Sequence, residues 1–190
     1  GALAQLQRLR QTSTDPESAR RAEEVEATLK RLTRLSERLM QLARAEGARV
    51  LTDAPQDLRP ILRIIAGDFS QGPDAGRVTM SLPDAPTPSD IDPDAVAIIA
   101  RNLIENALRH GQGPVAVVLD KKGELTVEND CPPISPVDLA ALSGRFVRGT
   151  NAGEGSGLGL AIVHTIAERI GSPLRLASPP SGKSTGFSAS

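Results

Sequence analysis

The chain has 190 residues, enough for one compact domain with a helical appendage or for two small domains. Its 22 basic and 23 acidic side chains (net −1) exclude a basic nucleic-acid clamp, and the absence of Trp and Tyr removes base-stacking platforms, so no nucleic-acid partner is expected. One cysteine and two distant histidines rule out an intramolecular disulfide and argue against a cysteine or histidine metal cluster, and no run approaches ~18 apolar residues, so a membrane-spanning helix is not expected.

Charge separates the two ends: residues 1–50 carry 10 basic and 7 acidic side chains, residues 51–190 carry 12 and 16. Ala2, Leu6 and Leu9 recur at helical spacing before Thr12–Glu17 interrupts. Asp15 followed by Pro16 reads as a helix start, an N-cap acceptor with proline at the first helical position. From there to Ala45 no Gly or Pro intervenes, and Val25, Leu29, Leu32, Leu35, Leu39 and Leu42 alternate steps of three and four, a narrow apolar seam. Residues 1–47 are therefore expected to form a helical hairpin whose short first arm cannot cover the seam. A second copy of the chain, completing a dimeric four-helix bundle, would do so.

Residues 48–57 are expected to be a linker, and residues 58–190 an α+β domain: one mixed or antiparallel sheet with helices on one face. Leu58–Phe69 reads as a helix, Arg77–Leu82 as a strand, and Pro83–Pro93 as a loop. Asp94–His110 is a strong helical pattern. Val115–Asp120 and Glu124–Asn129 read as a hairpin turned by Lys121-Lys122-Gly123. Val137–Leu142 is a short helix, Ser143–Ser156 a glycine-punctuated loop, Gly157–Ile170 a helix, and Leu174–Ser178 and Ser184–Ser190 closing strands.

Two segments carry chemistry. In Arg101-Asn102-Leu103-Ile104-Glu105-Asn106-Ala107-Leu108-Arg109-His110, Asn102 and Asn106 are four apart on one helix, and carboxamide oxygens suit a hard cation such as Mg²⁺. In Gly153-Glu154-Gly155-Ser156-Gly157-Leu158-Gly159, glycines open a helix, and bare backbone N–H groups at a helix N-terminus form an anion site. No Lys-Ser/Thr follows, so this is not a Walker P-loop.

Taken together and in this order, the segments resemble the catalytic core of sensor histidine kinases, within the Bergerat-fold ATP-binding superfamily. Residues 92–110 look like the N box, Leu125–Pro136 lies where the G1 box lies, Arg145–Gly149 matches the F box, and Gly155–Val163 (GSGLGLAIV) matches the G2 box. Gly182–Phe187 resembles the closing strand, and residues 1–45 resemble the dimerisation and phosphotransfer hairpin. The resemblance implies ATP and Mg²⁺ as ligands and a response regulator receiver domain as partner. It implies a cytoplasmic location for this segment, with no membrane contact of its own. By position, Asn106 would hold Mg²⁺ with Asn102 one turn before it, Arg109 would contact phosphate, and His110 would pack near adenine or ribose. Gly155, Gly157, Leu158 and Gly159 would close over the phosphates with Arg148 on the lid.

Two departures stand out. The usual Asp-Asn-Gly-Pro-Gly of the G1 box aligns with Asn129-Asp130-Cys131-Pro132-Pro133. The adenine-reading position is then Asn129, or Asp130 after a local shift. The family's phosphoacceptor histidine precedes a stretch resembling Gly1-Ala2-Leu3, so the chain is expected to begin after it, and neither His110 nor His164 replaces it. The resemblance also admits a hydrolytic ATPase, as in gyrases and heat-shock chaperones, and a degenerate docking module. The first would place a glutamate where Asn102 stands, because an amide cannot act as the base that activates water. Asn129 and Pro133 are what favour the second.

Overall fold

A computed structural model of the chain describes residues 8, 15–47, 50–71, 74–142 and 158–190, the side chains of residues 19, 34, 38, 44 and 45 excepted. The chain divides into two compact units, Gly1–Met40 and Gln41–Ser190. All of the short first arm except Arg8 lies outside the described residues.

Helix α1 spans Pro16–Gly47. Asp15 caps it as its position implies, accepting from the Glu17 and Ser18 backbone N–H groups at 3.3 and 3.1 Å. Arg21–Glu17, Arg20–Glu24 and Lys30–Glu26 pair one turn apart along its surface. The seam residues Val25, Leu32, Leu35 and Leu39 are exposed.

In the second unit the order is β1 (Leu51–Asp57), α2 (Leu58–Asp68), β2 (Val78–Ser81), β3 (Pro88–Ile91), α3 (Pro93–His110), β4 (Val115–Leu119), β5 (Leu125–Asn129), α4 (Pro136–Leu142), α5 (Leu158–Arg169), β6 (Leu176–Ala177) and β7 (Phe187–Ala189). Five strands form a mixed sheet in the order β2-β4-β5-β7-β6, with β2 parallel to β4 and the other neighbours antiparallel. Alternation along β4 turns Val115, Val117 and Leu119 inward, where Val127 of β5 and Phe187 and Ala189 of β7 join them. Leu62 and Ile65 of α2, Val96, Ala100, Leu103, Ile104 and Ala107 of α3, and Val163 of α5 cover that face. Val118 points the other way and is exposed. The result is an α+β sandwich of the kind the resemblance implies, with α3 in contact with both α2 and α5. Leu42, at the end of α1, joins a second cluster with Val50, Ala95, Leu158, Ile162 and Ile166.

Two segments depart from the sequence expectation. Residues 51–57, expected as linker, form β1, and the expected loop Pro83–Pro93 contains β3; the two pair antiparallel as a separate two-stranded sheet. Neither strand has a buried alternating face, so backbone pairing alone defines them. Pro55 falls where the register between Leu51 and Gln56 is irregular, and Pro88 opens its strand, both places where a missing N–H is tolerated. At the end of β1, Asp57 caps α2, accepting from the Arg59 N–H at 3.2 Å and from the Thr87 N–H at 3.0 Å. The Arg59 guanidinium, donating to both carboxylate oxygens, holds the Asp57 carboxyl well below the usual carboxylate range.

Candidate nucleotide site

The site is built at the C-terminal end of α3. Asp92 caps that helix through the Asp94 N–H at 2.8 Å and Pro93 occupies its first turn, so the start is fixed by sequence chemistry. Apolar residues along α3 then orient the Asn pair. Asn102 is 2% exposed, and its Nδ2 donates to the Ile98 carbonyl at 2.8 Å, one turn back. Asn106 is half-buried one turn later, and Arg109 and His110 are exposed in the last turn. Crowding of the His110 ring by neighbouring protein, aided by the Arg109 charge, lowers its pKa.

Gly111 ends the helix, its N–H donating to the Ala107 carbonyl at 2.8 Å. A Cβ there would lie 2.7 Å from Asn129 Nδ2 and 2.7 Å from the Ala107 oxygen, so only glycine lets the turn pass this close to Asn129. The next residue, Gln112, donates its N–H to the Asp130 carbonyl at 3.1 Å. The end of α3 and the end of β5 are thereby fastened together.

Asn129, the last residue of β5, is 4% exposed. Its Nδ2 reaches the Asp130 carbonyl at 3.4 Å, and among the described residues its buried Oδ1 has no hydrogen-bond partner. Asp130 is exposed, and its Oδ1 accepts from the Thr185 hydroxyl at 2.9 Å. The loop before β7 closes against this strand end: Gly186, at φ +105°, donates its N–H to the Cys131 carbonyl at 2.8 Å. A Cβ on Gly186 would stand 2.9 Å from the Asn129 oxygen. Burial pushes the Cys131 thiol up, against the influence of the Asn129 amide beside it.

Of the glycine-run residues, Leu158 is buried in the second apolar cluster and Gly159 follows it in the first turn of α5. Arg148, Gly155 and Gly157 lie outside the described residues, as do the F box and the lid Ser143–Ser156. The structure thus brings together the end of α3, Asn129 and Asp130. Three residues of this neighbourhood carry no motif signal: Gly111, Thr185, and Arg77, whose guanidinium binds the backbone after α3. A glycine directly after a strong helix was the one visible cue, and it indicates a helix end without indicating what packs on it.

The family model described as histidine kinase-, DNA gyrase B-, and HSP90-like ATPase matches residues 91–190. The signal transduction histidine-protein kinase BaeS of Escherichia coli (strain K12) is 33% identical over 170 residues, 83% of this chain and 36% of that protein. Sensor histidine kinase TrcS of Mycobacterium tuberculosis (strain ATCC 25618 / H37Rv) is 31% identical over 174 residues, 84% of this chain and 34% of that protein. The chain spans about a third of the length of these curated relatives. Among solved structures, full-length ShkA in complex with AMPPNP superposes with a TM-score of 0.71 at 20% identity, over 99% of this chain and 41% of that one, a likeness of fold. The histidine kinase domain of the E. coli osmosensor EnvZ gives a TM-score of 0.54 at 26% identity, over 75% of this chain and 88% of that one. The matched region runs from the end of β3 through α3, with its two asparagines, to the closing strand, and the chain belongs to the family of histidine kinase-, DNA gyrase B-, and HSP90-like ATPases.

Proposed function

We propose that the chain is a histidine kinase core of a two-component system. In this reading residues 58–190 bind ATP with Mg²⁺ and transfer its γ-phosphoryl group to a histidine that is neither His110 nor His164. Residues 1–47 form the dimerisation hairpin, and the phosphoryl group is relayed to a response regulator receiver domain. The exposed Val25, Leu32, Leu35 and Leu39 on α1 support the homodimer, because a second copy would bury them.

One observation carries the nucleotide reading. Among the described residues Asn129 Oδ1 is an acceptor without a donor, in a residue 4% exposed beside the last turn of α3. A buried acceptor left unpaired costs about 1–3 kcal/mol, which an exocyclic amino group of adenine would return on binding. Asp130, exposed and engaged by Thr185, is less suited to that role.

The residues present also fit Mg²⁺. Among the described residues no group of three or more His, Cys, Asp or Glu side chains could hold a metal ion. By its position in the motif the half-buried Asn106 carboxamide oxygen would be the protein ligand, with water and phosphate oxygens completing the shell. Held there, Mg²⁺ would supply charge neutralisation to the phosphates. Arg109, a turn on, places a positive charge beside them. A helix leaves its first N–H groups without intrahelical partners, so those opening α5, with the backbone of Gly155, Gly157, Leu158 and Gly159 and the Arg148 side chain, would supply donors to phosphate oxygens. Positioning and charge neutralisation are most of what phosphoryl transfer requires.

Asn102 argues against the hydrolytic reading. It stands where a water-activating glutamate would be needed, its amide cannot accept a proton, and it is turned to the Ile98 carbonyl. The test is a titration with a fluorescent ATP analogue, with and without Mg²⁺. The unaltered chain should bind more tightly with Mg²⁺, and Asn106→Ala should remove that gain while leaving metal-free binding and melting temperature nearly unchanged. Equal Mg²⁺ dependence in both proteins would refute the assignment of Asn106.

A further inference from the structure

We infer that Arg77 is a positioning residue of the nucleotide site, acting through the turn that joins α3 to β4. The inference rests on the nucleotide reading above and names the residue that holds its base-recognising wall.

Arg77 directly precedes β2, on the far side of β4 from Asn129 in strand order. Its backbone oxygen accepts from the Val115 N–H at 2.7 Å, which fixes the main chain against the start of β4. Its half-buried guanidinium then spans the α3–β4 turn. Nε donates to the Gly113 carbonyl at 3.0 Å, Nη2 to the Gly111 carbonyl at 2.9 Å, and Nη1 to the Leu108 carbonyl at 3.3 Å. Asp74 orients the fork from behind, accepting from Nη1 at 2.7 Å.

Each contact has a physical reason. The Leu108 carbonyl is one of the last four of α3, which have no partner within the helix, and a cation at that end is favoured by the helix dipole. The Gly111 and Gly113 carbonyls belong to a turn with no regular pairing of its own. A planar fork with fixed donor directions can bind three carbonyls of one turn, whereas a lysine ammonium cannot span them.

The turn held in this way touches both halves of the site. Gly111 lies against the Asn129 amide, and the Gln112 N–H takes the same Asp130 oxygen that Asn129 Nδ2 reaches. That contact keeps Asn129 Nδ2 turned to the turn and leaves Oδ1, buried and without a donor among the described residues, as the unsatisfied atom. Arg109 and His110 lie between the Leu108 and Gly111 carbonyls that Arg77 binds, so their backbone is fixed by the same fork. Asn106 lies outside the clamped segment and is set by α3 itself.

This division sets the test. In the full chain, well below its melting temperature, Arg77→Lys should weaken binding of a fluorescent ATP analogue roughly tenfold, as expected for losing about one well-placed charged hydrogen bond's effect on a site. It should reduce the preference for ATP over GTP in competition, while the ratio of affinities with and without Mg²⁺ stays as in the unaltered chain. Asp74→Asn, which leaves the three carbonyl contacts in place, should stay within about twofold of the unaltered chain. Should Arg77→Lys not fold, the Arg77 Nε–H resonance of the unaltered chain serves instead, and it should shift on saturation with ADP. Unchanged affinity and base preference in Arg77→Lys, or an unmoved Nε–H resonance, would make Arg77 a strut of the fold and overturn the assignment. Failure of the unaltered chain to bind any adenine nucleotide would overturn the nucleotide reading, and the assignment with it.

Discussion

Replacing Gly111 by alanine isolates the closest approach in the site. The backbone there, at φ −96° and ψ 151°, is one that any residue adopts, so alanine brings no conformational strain. On that ground alone the change would stabilise the protein by about 0.4–1 kcal/mol, through a less flexible unfolded chain. The added methyl, however, would meet the Ala107 oxygen and Asn129 Nδ2 at 2.7 Å and Asn129 Cβ at 2.8 Å. One neighbour is helix backbone and the other a buried side chain, so neither yields easily, and overpacking of this kind costs about 1–3 kcal/mol. The net expectation is a loss of about 1–2 kcal/mol, or roughly 2–8 °C in melting temperature for a protein of this size. Gly67→Ala is the internal control. It lies within α2 with nothing within 4 Å of its Cβ, and should gain up to about 1 kcal/mol from helix propensity. Thermal unfolding followed by circular dichroism measures both, and nucleotide titration of the folded Gly111→Ala protein should show weakened binding, because Asn129 is displaced. A Gly111→Ala melting temperature at or above that of the unaltered chain would refute the packing described here.

Two further outcomes concern pH. The Asp57 carboxyl is held low chiefly by the Arg59 guanidinium, so its contribution to stability is fully present above its ordinary value of 3.8 and is lost only as pH falls below that. The melting-temperature gap between the unaltered chain and Asp57→Ala should therefore be constant from pH 8 to about 5; a gap that closes between pH 7 and 5 would contradict this. His110, lowered first by desolvation and then by Arg109, should titrate below 6.5 in a proton NMR titration. Its fold-favoured neutral form contributes above that pH and the contribution fades as pH falls, and Arg109→Ala should move the midpoint part of the way back up. A midpoint at or above 6.5 in the unaltered chain would refute the crowding of the ring.

The parts of the fold that were legible in the sequence are those whose signals are local. Helix α3 announced itself through Asp92-Pro93 and an apolar pattern, and β4 and β5 through alternation around a Lys-Lys-Gly turn, and the structure reproduces each within a residue or two. Strands β1 and β3 were not legible, because their residues bury no common face and are defined by pairing across more than thirty residues of sequence. The Asn pair of α3 was visible as a pair, but spacing alone could not show that Asn102 is enclosed while Asn106 is half-open; that depends on α2 and α5 packing on either side. Arg77 was illegible for the same reason. Its partners are carbonyls, and a carbonyl leaves no mark on the sequence.

The order Asn129-Asp130 can be understood from the same geometry. An ionised carboxylate at a position 4% exposed needs a paired cation or several donors to offset its desolvation. A neutral amide there avoids that penalty and still offers an acceptor. The acid sits one residue on, in an exposed position where water and the Thr185 hydroxyl satisfy it. The exchange narrows what the proposed site can read. A carboxylate presents two acceptors, whereas the amide, with Nδ2 turned to the Asp130 carbonyl and pressed by Gly111, presents only Oδ1. A base offering an amino group to that atom gains a hydrogen bond. One offering a carbonyl, as guanine does at the corresponding edge, sets two acceptors against each other and leaves both unpaired. On the proposed reading, selectivity for adenine would rest on the amide not flipping, and Gly111 and the turn held by Arg77 are the groups placed to oppose the flip.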